Sequence, residues 1–216
     1  MTTFLLLHGG AGPASVAAFA ERLSRDAHVI APTHPGFGGT PRDGVETIRD
    51  YAVGYAKLVE DFDDVTVVGN SIGGWIAAEL ALLDPHQVRR YVLVDAVGIE
   101  VPGHPVVDFF SLTLPEVAKR SYYDPERFRI EPGPDAQSNR ETLAAVAGGM
   151  ADPTLRERLA GVSKPTLVVW GDSDGIVDPD YGRAYADAIP GARFALLENT
   201  GHLPQIESPD ALLALV

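Results

Sequence analysis

The sequence predicts an α/β protein in which a mostly parallel six-stranded sheet carries helices on both faces. Short apolar runs recur along the chain at Phe4–Leu7, His28–Ala31, Val65–Val68, Tyr91–Val94, Thr166–Trp170 and Arg193–Leu197. Runs of this length without polar alternation are the mark of strands buried on both faces. Segments of helical period separate them, which is the alternation of a βαβ sheet. With 216 residues, 45% of them hydrophobic, the chain is long enough for one well-buried core, and a single domain over 1–216 is expected.

In order along the chain, Phe4–Leu7 leads into the glycine-rich stretch His8-Gly9-Gly10-Ala11-Gly12-Pro13. A helix is predicted over Ser15–Arg25, with Val16, Phe19, Ala20 and Leu23 on one side. The second strand ends in the turn Thr33-His34-Pro35-Gly36-Phe37-Gly38, and a helix over Val45–Phe62 follows. The third strand runs through Gly69-Asn70-Ser71 into a helix over Ile72–Leu83. An insert of about Gly98–Gly161 separates the fourth and fifth strands, with turn-rich joints at Val101–Pro105 and Glu131–Pro134. Its middle is helical in period and aromatic (Phe109, Phe110, Tyr122, Tyr123, Phe128), which reads as a lid or as the small core of the insert itself. A helix over Tyr181–Ile189, with Asp178 and Asp180 at its N-terminal cap, precedes the sixth strand, and a short helix over Asp210–Val216 ends the chain. Right-handed crossovers bring every strand's C-terminal end to one rim, where such sheets hold their ligands.

Composition narrows the function. A net charge of −13 argues against nucleic acid or an anionic membrane, because phosphate binding needs clustered Lys and Arg. The chain has no cysteine, which removes disulfides, thiolate nucleophiles and Cys-based metal sites. No run approaches the roughly 18 apolar residues of a membrane span, and Phe4–Leu7 lacks the basic leader of a signal peptide, so a cytoplasmic protein is expected.

Gly69-Asn70-Ser71-Ile72-Gly73 matches G-x-S-x-G between a predicted strand and a predicted helix, the context that pattern requires. In so tight a turn the backbones at 69 and 73 approach too closely for a Cβ, and the helix starting at Ile72 offers an N–H to a developing oxyanion. The plainer reading of Ser71 is a helix N-cap. A serine nucleophile needs a histidine base steered by a carboxylate. Of six histidines, His202 follows the last strand at the correct rim. His28 and His86 fall at the opposite end, His34 is at the rim as a pocket-lining or structural residue, and His104 belongs to the insert and is expected to be exposed. No two have metal-ligand spacing. For the acid, Asp172 and Asp174 compete; Asp174 lies deeper in its turn and is followed by Ile176-Val177, which would anchor it inward, with Asp95 at the end of the fourth strand as a third candidate. The N–H groups of Gly10 and Ile72 are the natural oxyanion pair.

Taken together, His8-Gly9-Gly10, Pro35-Gly36-Phe37-Gly38, Gly69–Gly74, Gly171–Asp174 and Gly201-His202, in that order, resemble the α/β-hydrolase superfamily in the branch with a helical lid after this chain's fourth strand. The resemblance implies Ser71 as nucleophile, Asp174 as acid, His202 as base, and Gly10 and Ile72 as the oxyanion hole, with no cofactor and no metal. The family's sheet has eight strands, and its first two have no counterpart here, which exposes the strand around Val29 and Ile30 as an edge. That edge is expected to be short, shielded by Pro32, or covered by the partner of a homodimer. Epoxide hydrolases and haloalkane dehalogenases of this fold place Asp at the elbow; Ser71 implies an acyl-enzyme instead. The expected activity is hydrolysis of a small, largely apolar carboxylic ester. The Gly-Asn-Ser-x-Gly-Gly elbow also resembles carbon–carbon bond hydrolases of diketo acids, and a non-catalytic ligand-binding protein of the same fold is the alternative from another class.

Overall fold

The computed structural model describes residues 2–128 and 133–216. Its strands are β1 (Thr3–Leu7), β2 (His28–Ile30), β3 (Val65–Asn70), β4 (Val88–Val94), β5 (Thr166–Gly171) and β6 (Arg193–Leu197). They form one sheet in the order β2-β1-β3-β4-β5-β6, parallel at every pairing. The predicted six-stranded α/β architecture is therefore the observed one.

Side chains alternate between the two faces along each strand. Leu5, Leu7, Val67, Leu93, Val168 and Trp170 point to the face covered by α2 (Ile48–Leu58), α3 (Ile72–Leu83) and α7 (Pro179–Ala188). Phe4, Leu6, Val68, Val92, Val94 and Val169 point to the face covered by Val16, Phe19 and Leu23 of α1 (Ala14–Leu23) and Leu212 of α9 (Pro209–Leu213). Both faces are thus dry, which is why these strands read as continuous apolar runs. Trp170 and Tyr91 are wholly buried, and the Trp170 indole N–H donates to Val177 O at 3.0 Å.

Some boundaries differ from expectation, each for a local reason. The helix expected over Val45–Phe62 begins only at Ile48, because Thr47 and Asp50 form a capping box that fixes the start. It ends at Leu58 and continues as a single 3-10 turn over Val59–Asp61. β4 starts three residues earlier than its apolar run, since Arg89 and Arg90 are polar yet pair along the strand with Asp64 and the Thr66 hydroxyl. The short helix expected over Asp210–Val216 is observed as α9, and a separate turn of helix, α8 (Pro204–Glu207), precedes it; each opens on a proline.

The segment between β4 and β5 holds α4 (Leu114–Ser121), α5 (Ala136–Ala147) and α6 (Leu155–Arg158). The joint expected at Glu131–Pro134 begins outside the described residues. Edge strand β2 has only three residues. No helix among the described residues is long and apolar enough to cross a membrane.

Candidate active site

Ser71 lies between the last residue of β3 and the first of α3, with φ 57° and ψ −118°. A non-glycine residue is strained there, and the fold holds it by close contacts. A Cβ on Gly69 would sit 2.1 Å from Gly73 O, and one on Gly73 would sit 2.2 Å from Leu7 O, so only glycine lets strand, turn and helix meet. The Ser71 N–H donates to Val94 O at 2.9 Å, and its carbonyl accepts from Trp75 N at 3.1 Å. The hydroxyl makes no capping bond to α3, which disposes of the plain N-cap reading.

His202 and Asp174 meet 28 residues apart in sequence: His202 Nδ1 donates to Asp174 Oδ2 at 2.7 Å, and both side chains are buried. The other oxygen, Asp174 Oδ1, accepts from the N–H groups of Ile176 (2.7 Å) and Val177 (3.1 Å). Those residues were expected to anchor Asp174 through their apolar side chains; their backbone does it as well. With Nδ1 committed as donor, Nε2 is the free nitrogen of His202. Asp172 is exposed and accepts from Thr200 N at 3.3 Å and the Ser173 hydroxyl at 2.8 Å, so it holds the loop before His202 rather than the imidazole.

Asp95 is completely buried beside this pair. One of its oxygens, one of Asp174 and one ring nitrogen of His202 lie within 4.8 Å of one another. Asp95 Oδ1 accepts from Gly171 N at 2.9 Å. Burial, then the neighbouring Asp174, pushes its pKa well above the usual carboxylate range.

Asn70, quoted in sequence only as part of the elbow, ties the two loops together. Its amide Nδ2 donates to Val94 O (3.3 Å) and His202 O (3.0 Å), while Oδ1 accepts from Gln205 Nε2 (3.1 Å). Glu207 was not foreseen at all: it accepts from Gly201 N at 2.6 Å and Tyr123 N at 2.9 Å, linking the His202 loop to the insert. Tyr123 lies 84 residues away in sequence, and no local pattern carries that contact. The end of α4 completes the link, as Ser121 O accepts from His202 N (2.8 Å) and Arg120 O from Gly175 N (3.0 Å).

Gly10 belongs to the loop after β1, and Ile72 opens α3, where backbone N–H groups have no helical acceptor. His8 and His34 support that loop from behind. His34 N donates to His8 Nε2 at 3.1 Å, so His8 Nδ1 carries the proton and donates to Gly9 O at 2.8 Å. His34 Nε2 donates to His8 O at 3.0 Å, and His34 Nδ1 accepts from the Tyr55 hydroxyl. Burial lowers the His8 pKa to about 4 and that of His34 well below its ordinary value, so both imidazoles are neutral. His34 is thus structural. His104 is not free in solvent, since its Nδ1 bonds Asp178 Oδ2 at 2.9 Å. Asp178 also caps α7, as expected.

Ser71, His202 and Gly10 share the wall of a cavity of about 360 Å³. Among the described residues no hydrogen bond joins the Ser71 hydroxyl to His202. The opposite walls are apolar and come from the insert, chiefly Phe109, Leu114, Val117, Tyr122 and Leu143. Of the insert aromatics, Phe109 and Tyr122 therefore face the cavity, whereas Tyr123 is 52% exposed. Asp95, Asp174 and His202 are close enough together to hold a cation, as are His104, Asp178 and Asp180, but in each set the imidazole Nδ1 already bonds a carboxylate.

A six-stranded α/β sheet with a strained serine at a strand-to-helix turn and a histidine–aspartate pair at the same rim defines a hydrolase-like architecture. The alpha/beta hydrolase family model matches residues 4–215, and the chain belongs to that family. It is 30% identical to the pimeloyl-[acyl-carrier protein] methyl ester esterase of Aromatoleum aromaticum, over 98% of this chain and 95% of that protein. It is equally 30% identical to a 2-hydroxymuconate semialdehyde hydrolase of Pseudomonas putida, over 98% of this chain and 84% of that one. Among solved structures, a thermophilic esterase from Thermogutta terrifontis superposes with a TM-score of 0.79 at 26% identity, covering 100% of this chain and 88% of that one.

Proposed function

We propose that the protein is a serine hydrolase that cleaves small, largely apolar carboxylic esters through an acyl-enzyme. The observation that carries this reading is the buried 2.7 Å His202–Asp174 contact in the wall of the cavity that also exposes Ser71. His202 Nε2 takes the Ser71 proton as Oγ attacks the ester carbonyl, and Asp174 stabilises the imidazolium. The oxyanion that forms faces the N–H groups of Gly10 and Ile72, held in place before the reaction so that no reorganisation is needed. His202 then protonates the departing alcohol. Water enters, gives its proton to His202, attacks the acyl carbon and releases the acid with regeneration of Ser71. The segment 98–161 acts as a lid whose apolar wall holds the acyl or alcohol group. No step requires a cofactor.

A carbon–carbon bond hydrolase of diketo acids uses the same residues, and the identity to the semialdehyde hydrolase favours it as the second reading. A panel of p-nitrophenyl esters, thioesters, lactones and a diketo acid, run with wild type and Ser71→Ala, tests both. Ester turnover that disappears in Ser71→Ala is the expected result. Turnover of the diketo acid alone moves the assignment to the second reading. Failure of a fluorophosphonate probe to label Ser71 overturns the nucleophile and points to a ligand-binding protein.

A further inference from the structure

Two carboxyl groups are buried beside one imidazole, and their hydrogen-bond donors are shared out unequally. Asp174 receives three: the N–H groups of Ile176 and Val177 on Oδ1, and His202 Nδ1 on Oδ2. Asp95, though completely buried, receives one, from Gly171 N on Oδ1. Its Oδ2 is sealed from solvent and has no hydrogen-bond partner among the described residues. An ionised carboxylate left so poorly solvated is costly, and two adjacent charges against a single imidazole are costlier still. Asp95 cannot turn away, because its backbone is pinned at φ 44° with its N–H on Val169 O at 2.9 Å.

We propose that Asp95 is held as the neutral acid and that its Oδ2–H donates to the Asp174 carboxylate, which makes Asp95 a positioning residue for the Asp174–His202 pair. The proposal rests on the triad reading above. The charged and titratable groups facing Asp95 are Asp174 on the loop after β5, His202 on the loop after β6, and Glu207 on α8. Glu207 is engaged by the N–H groups of Gly201, Tyr123 and Asp124. Burial and Asp174 both favour the protonated form of Asp95, and only the Gly171 N–H opposes it. A neutral Asp95 has two consequences. It fixes the Asp174 carboxyl plane, and it keeps a second negative charge away from the imidazole.

Infrared difference spectroscopy of wild type against Asp95→Asn at pH 7 reads the proton directly. The expected result is the carbonyl stretch of an undissociated carboxylic acid, present in wild type and absent from Asp95→Asn. The same band is expected in the Ser71→Ala background, where no turnover occurs. In kinetics, Asp95→Asn supplies an amide donor in place of the acid, so the acidic limb of kcat/KM stays within about 0.3 pH unit of wild type. Asp95→Ala removes the donor, lowers kcat/KM about tenfold and moves that limb upward, because Asp174 becomes a better partner for the imidazolium. The absence of the band, or its survival in Asp95→Asn, overturns the proposal. So does a downward move of the acidic limb by about one unit or more in Asp95→Asn, which would reveal a lost negative charge. Should Asp95→Ala fail to fold, the near-isosteric Asn variant and the spectrum still decide. Failure of the fluorophosphonate probe at Ser71 would instead sink the triad reading and leave the protonation of Asp95 intact.

Discussion

At the scale of single residues, the division of labour among the aspartates follows from what each carboxylate can reach. Asp172 and Asp174 are two positions apart on one loop, yet Asp174 faces inward to His202 while Asp172 stays in solvent and holds Thr200 N. Asp174→Asn replaces an acceptor of the Nδ1 proton with a group that favours the wrong imidazole tautomer. It is expected to lower kcat by about 10⁴-fold with little change in KM. Asp172→Asn retains an acceptor oxygen for Thr200 N and is expected to keep kcat within about threefold, as befits a surface position. Steady-state kinetics of both variants on one p-nitrophenyl ester check the pair, with melting curves to show that each is folded.

Among the elements, α4 links the cavity to the Asp174 and His202 loops. Leu114 and Val117 line the cavity, while the carbonyls of Arg120 and Ser121 receive the N–H groups of Gly175 and His202. Its start is set by a capping box in which Thr113 Oγ1 accepts from Glu116 N and Glu116 Oε2 accepts from Thr113 N at 2.7 Å. Thr113→Ala removes one half of that box at an expected cost of about 1 kcal/mol. The urea midpoint should fall with the slope unchanged, and KM should rise more than kcat falls, because the first turn of α4 is cavity wall rather than chemistry. An unchanged KM would show that the cavity wall does not depend on this cap.

Across the whole molecule, the two buried histidines behind the loop after β1 tie stability to pH. His8 has an ordinary pKa of 6.5 when unfolded and about 4 in the fold, so between those values the unfolded chain binds a proton that the native chain refuses. Stability from this group is therefore complete above pH 6.5 and is lost as pH falls towards 4. The loss amounts to about 3 kcal/mol from His8 alone, and His34 shifts in the same direction. Urea midpoints of wild type should drop steeply between pH 7 and pH 4.5. His8→Asn, less stable at pH 7 for want of its hydrogen bonds, should show a visibly shallower fall. Equal slopes in the two proteins would mean that other groups set the acid limit.

Much of this was legible in the chain itself because the signals are local. A strand buried on both faces must be a continuous apolar run, and the six runs are the six strands of the sheet. The G-x-S-x-G spacing is legible because Gly69 and Gly73 have no room for a Cβ. The last turn of a strand also marks a rim position, which placed Asp174 and His202 on the correct side. What remained hidden was decided by contacts between distant segments. The early start of β4 depends on Asp64 and Thr66 across the sheet. Glu207, Asn70 and Asp95 acquire their roles only when segments more than 20 residues apart close on one another. By itself the sequence determined the class of fold, the strained serine and the rim on which its partners lie, since backbone sterics and hydrophobic period are properties of neighbouring residues. The tertiary structure alone decided which aspartate is shut away from solvent with a single donor and how the insert walls the cavity, since burial and the allotment of hydrogen bonds exist only once the chain has packed.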